Sequence, residues 1–129
     1  MPSCPTARYS IRLPSCVYCS IQPEEAWIST EEAIALPHPE PLVTCHMLVA
    51  PRRHVGTFYD LDVQEQRAVW ALVTEVRGRV ACSMRTVGFD IGFADNTQGA
   101  HVLIHVVPRL PGERVVLPAG IEWVDAGGQ

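Results

Sequence analysis

At 129 residues, with 47% apolar residues and a formal net charge of −4, the chain has the size and composition of one folded domain. That charge excludes a nucleic-acid surface, which needs clustered positive charge. The N-terminal residues hold no apolar run long enough for a signal peptide or membrane span, so a soluble cytoplasmic protein is the expectation. Five cysteines, an odd number, then favour metal binding or plain burial over a disulfide framework.

Residues 1–15 carry three prolines and no periodicity, and read as an irregular arm ahead of a domain over 16–125. Residues 126–129 read as a disordered tail. "CVYC" sets Cys16 and Cys19 at a spacing that lets two thiolates grip one tetrahedral ion. The same spacing serves redox sites, but those open a helix beside a βαβ unit, and no helix is evident here.

"AWIST" and "EEAIALP" predict two short strands joined by a turn. "CHMLVAP" (45–51) alternates as a strand that Pro51 ends, with His46, Leu48 and Ala50 on one face. From Asp62 the period changes: Val69, Leu72, Val73, Val76, Val80 and Met84 mark one helical stripe. Asp62 is the expected N-cap, with Glu65 closing a capping box.

"VGFDIGF" (87–93) and "HVLIHVV" (101–107) are predicted strands, and the turn-rich "ADNTQGA" between them predicts a hairpin. Beyond them, "IEWV" is the one segment expected to dock. The total is an α+β domain, an antiparallel sheet of about five strands with one long helix packed across it.

Two histidines, His101 and His105, share one face of the last long strand with Leu103 between them. A lone histidine on an apolar strand is usually bonded to a carbonyl, whereas two buried imidazoles in line each need a partner. An ion or an anion supplies one.

These segments together are specific. "CHMLVAPRRHV", the long helix and "GAHVLIHVVPR" resemble the histidine triad superfamily, over most of the chain from about Cys16 to Arg109. Its members carry a "GH-x-LV-x-P-x-x-H" segment and a strand of three alternating histidines, often followed by Pro-Arg. The resemblance implies a histidine-triad fold and, in active members, a middle histidine that attacks the α-phosphorus of a nucleotide conjugate. Counted back from "VVPR", that position is Leu103. Leucine has no lone pair to attack with. His46 and His105 are then left with supporting roles, either as an anion pocket or as rings bonded to backbone carbonyls.

The family's acid or amide for ribose hydroxyls falls at His38. The phosphate loop is shortened, leaving Asn96 and Gln98 as candidate ligand contacts, with Arg109 the arginine best placed for phosphate. The zinc-bearing branch of the superfamily implies four ligands, Cys16, Cys19, His54 and His101, and a closed structural zinc. Cys4, Cys45 and Cys82 form no constellation, and Cys45 stands where glycine is frequent. The resemblance also implies a homodimer. The leading reading is a binder of a purine nucleotide or other small phosphorylated ligand without the covalent nucleophile. Its rivals are an active nucleotide phosphoramidase or dinucleoside polyphosphate hydrolase using a non-standard residue, and a dimeric interaction module with no small ligand.

Overall fold

In the computed structural model, residues 4–7, 17–19, 21–94, 101–113, 116–117 and 121–125 are described. Six strands form one sheet: β1 (Ile28–Ser29), β2 (Ala33–Pro37), β3 (Met47–Pro51), β4 (Gly88–Ala94), β5 (Leu103–Arg109) and β6 (Glu122–Asp125). Their spatial order is β1-β2-β3-β5-β4-β6, with every described pairing antiparallel. The expected α+β layout holds, and the two-residue β1 extends one edge beyond the strands β2 to β6.

One helix, α1 (Val63–Ser83), lies across one face. Asp62 caps it as expected: its carboxylate accepts from the Glu65 amide at 2.8 Å, while Glu65 accepts from the Asp62 amide at 3.0 Å. Val69, Leu72, Val73, Val76 and Val80 are buried against Met47 and Val49 of β3 and Ile104 and Val106 of β5. Burying each such side chain contributes roughly 1.5–3 kcal/mol. The partly buried Met84 completes the stripe.

Because strand side chains alternate, β3 and β5 turn their other faces away from α1. There Ile34, Leu36 and Ala50 form a second, smaller cluster with Ile21, and Leu103, Ala7 and Tyr18 pack on it.

Two expectations are corrected. The last long strand begins at Leu103, two residues later than expected. The cause is competition for the backbone: the Val102 amide donates to the Val55 carbonyl at 2.8 Å, so the chain before Leu103 is drawn to the 52–57 loop. Second, Cys4 and Cys45 are joined as a disulfide, with Cα atoms 5.5 Å apart. Cys45 lies at φ 70°, the left-handed conformation that glycine takes without strain and that costs a side chain roughly 1–2 kcal/mol. That backbone accounts for the family's glycine, and here the cross-link to the arm holds a residue in its place. A separation of 41 residues gives no sign of the pairing in the sequence. Cys82 is exposed on α1, with no role evident in its surroundings.

Candidate functional site

Two histidine clusters stand on the sheet, and the hydrogen bonds around them have opposite polarity. The first joins three segments. Cys19 ends the 3-10 turn Val17–Cys19, His54 lies in the loop after β3, and His101 precedes β5. The Val102–Val55 backbone bond holds the two histidine-bearing segments together. The Cys19 Sγ lies 3.0 Å from the His54 Nδ1 and 3.6 Å from the His101 Nδ1. Donors on one tetrahedral zinc, with bonds near 2.3 Å to sulfur and 2.0 Å to nitrogen, stand roughly 3.5 Å apart.

His101 is oriented from behind. Its Nε2–H donates to the Pro51 carbonyl at 2.7 Å, which leaves the Nδ1 lone pair turned to Cys19. Such a carbonyl-held imidazole is what metal-ligating histidines carry in their outer shell. Burial lowers the His101 pKa, while the Pro51 bond opposes that and the neighbouring His54 adds to it. Of the four expected ligands, Cys19, His54 and His101 meet here; Cys16 lies outside the described residues.

The second cluster is His38, His46 and His105. β2 and β3 pair with Pro37 opposite Met47, and one further bond, from the His38 amide to the His46 carbonyl at 2.9 Å, extends the ladder. The pair therefore stacks, with ring centres 4.4 Å apart at 25°. On β5, His105 lies opposite Leu48, one diagonal step from His46. The His46 Nε2 and the His105 Nδ1 are 3.0 Å apart, and both residues are buried.

Backbone amides set the protons of this cluster. The Leu42 N–H donates to the His46 Nδ1 at 3.1 Å, and the Glu40 N–H donates to the His38 Nδ1 at 2.9 Å. A neutral imidazole has one donor and one acceptor nitrogen. His46 therefore carries its proton on Nε2 and gives that hydrogen bond to the His105 Nδ1, so the His105 proton sits on Nε2. The order is one-way: Leu42 amide, His46, His105. Burial, with the charges of His38 and His105 adding to it, pushes His46 down to about 3. Burial and His38 push His105 down to about 4. His38 is also lowered by burial, against the pull of Glu40. For His46 and His105 the sequence allows an anion pocket or rings bonded to backbone carbonyls, and the second alternative is corrected, because the backbone group on His46 is an amide N–H. His46 meets a backbone amide, and His105 meets His46.

Leu103 is half-buried and packs on Ile34, Leu36, Ala50 and Ile21. The Arg109 guanidinium is paired with Asp90 at 3.1 Å. Asn96 and Gln98 lie outside the described residues. One wall was not foreseen. A Cβ on Gly92 would come within 2.6 Å of Trp123, so glycine on β4 admits the indole of β6. That indole then stands 5.8 Å from the His105 ring. The glycine between two apolar strand residues was the available signal.

The HIT domain matches residues 21–112. The chain is 30% identical over 97 residues to a bifunctional bis(5'-adenosyl)-triphosphatase/adenylylsulfatase FHIT of Arabidopsis thaliana, covering 72% of this chain and 54% of that protein. It is 28% identical over 93 residues to a bis(5'-adenosyl)-triphosphatase of Dictyostelium discoideum, covering 69% and 62%. The chain thus spans less than two thirds of either relative. Among solved structures, a Zn-bound histidine triad family protein from Mycobacterium smegmatis superposes with TM-score 0.68 at 22% identity, over 80% of this chain and 81% of that one. A HIT family protein from Bacillus anthracis gives TM-score 0.68 at 17% identity, over 82% and 83%.

Proposed function

This chain belongs to the HIT domain family, and from that premise we propose that it binds a nucleotide or another small phosphorylated ligand without forming a covalent intermediate. The observation that carries the proposal is Leu103, which holds the strand position between His101 and His105 and spends its side chain on an apolar cluster. Aliphatic carbon offers phosphorus no electron pair. Nor does His105 stand in for it, because its Nδ1 lone pair receives the His46 hydrogen and its Nε2 bears the remaining proton. Without a nucleophile, any residual rate would come from electrostatic stabilisation, orders of magnitude below that of a competent site.

The same reading assigns a zinc ion to Cys16, Cys19, His54 and His101. It is supported by the donor types, the spacing of the three described ligands and the Pro51 carbonyl behind His101. Two thiolates and two imidazoles close a tetrahedron, so the ion would hold the arm to the 52–57 loop and to the start of β5 and leave no position for substrate. A homodimer belongs to this reading too, and sedimentation of the zinc-loaded chain checks it.

The test is incubation of the zinc-loaded protein with diadenosine triphosphate and with an adenosine phosphoramidate. No turnover is expected, together with a rise in Tm on adding AMP, since a ligand of the folded state stabilises it by mass action. Steady hydrolysis abolished by His105→Ala would overturn the proposal. Leu103→His is expected to restore no appreciable rate, because the new ring enters an apolar layer and His38 still replaces the family's acid or amide.

A further inference from the structure

We propose that His38 and His105 form a charge-neutral pair of N–H donors for a compact oxyanion, in place of a group that accepts hydrogen bonds from sugar hydroxyls. The proposal deepens the phosphorylated-ligand reading and rests on it for the location of the ligand. His38 has its Nδ1 lone pair occupied by the Glu40 amide, so it keeps a hydrogen to give and no lone pair to accept with. A hydroxyl-binding carboxylate does the reverse: it accepts from two O–H groups. His105 is in the same condition through His46. The two ring centres are 5.6 Å apart, a spacing that one tetrahedral oxyanion spans with two hydrogen bonds.

The same polarity rules on the other occupant a histidine trio suggests. One nitrogen of each ring lies within 4.8 Å of one on each of the others, close enough for a shared metal ion. Metal ligands, however, present a bare lone pair and donate their other N–H outward. Here the backbone donates inward to His38 and His46, so a cation would find hydrogens facing it.

Neutrality has a consequence for pH. Adding a proton at the Nδ1 of His38 or His46 would set it against the amide hydrogen already there. Among the described residues, the ionisable groups acting on the trio are its own rings and the Glu40 carboxylate. Leu48 on β3, Gly92 on β4 and Trp123 on β6, which flank His105, carry no charge. Anion capture therefore does not wait for an imidazolium.

Sulfate tests this, because it does not itself titrate between pH 6 and 8. Calorimetric titration of the zinc-loaded chain is expected to give affinities within twofold at pH 6.0 and pH 8.0. A site needing an imidazolium of ordinary pKa would lose more than about tenfold over that range, and such a loss would overturn the proposal. His38→Ala is expected to weaken sulfate about tenfold, the effect of one hydrogen bond to a charged acceptor. His38→Gln, which retains an N–H, should stay within threefold. Circular dichroism and one zinc per chain verify that both variants fold. Unchanged sulfate binding in His38→Ala, or a second equivalent of zinc that requires His38, would sink the assignment. Failure of AMP to bind while sulfate behaves as stated would remove the nucleotide reading and leave this one; AMP binding with sulfate indifferent to His38 would do the opposite.

Discussion

The two histidine clusters use the same side chain under opposite backbone instruction. At His101 a carbonyl, that of Pro51, accepts the ring's Nε2–H hydrogen bond and turns a lone pair inward. At His38 and His46 amides, those of Glu40 and Leu42, occupy the lone pair and leave a proton on the other nitrogen. One arrangement suits a cation and the other an anion, and neither is visible in a count of histidines. The lesson is that the chemistry of an imidazole is set by which backbone group stands behind it.

The strongest way to break this comparison is at the carbonyl-backed cluster. Cys19→Ser should lose zinc and lower stability by about 3 kcal/mol or more, on the order of 10 °C in Tm, measured by metal analysis and thermal unfolding together. An unchanged Tm with no zinc bound would mean the cluster holds no ion that matters. Next in size, Cys4→Ser opens the link to Cys45 and should cost about 3 kcal/mol, read from denaturant midpoints with and without a dithiol reductant. If the reductant moves wild type and variant alike, the bond does not form in solution.

The amide-backed cluster is sharpened by pH. His46 and His105 have folded pKa values of about 3 and about 4, below the ordinary 6.5, so the unfolded chain binds more protons than the folded one in that window. Their contribution is complete above pH 6.5 and is lost as pH falls toward 4, by up to about 1.4 kcal/mol per pH unit for each ring. Urea unfolding at pH 7.0 and 5.0 measures it. His46→Asn should flatten the slope by about one proton relative to wild type, and an unaltered slope would show that the ring is not held neutral.

Much of this was legible in the sequence, for reasons that differ by element. The period of Val69, Leu72, Val73, Val76 and Val80 and the Asp62–Glu65 box specify α1 locally, and it formed where expected. The resemblance groups His54 and His101 with Cys19, and the structure brings the three side chains together. Place in the chain gave no view of Cys4 beside Cys45, because that pairing depends on a left-handed residue at the turn before β3. Position in the chain makes His38 a candidate ligand contact. Its stacking on His46 follows from the β2–β3 register, which a single sequence does not state. Arg109 reads in the sequence as a salt-bridge partner or a phosphate contact, and the structure pairs it with Asp90 on the adjoining strand.

The arm is fastened at both ends of β3, by Cys4 at residue 45 and by Cys19 beside the loop that follows Pro51. Between the fasteners, Ala7 and Tyr18 lie on Ile34, Leu36, Ala50 and Leu103, the oily side of the sheet that α1 does not cover. Loss of both contacts would release Ala7 and Tyr18 from that side. A chain with Cys4 and Cys19 both replaced should therefore stick to copies of itself before it unravels.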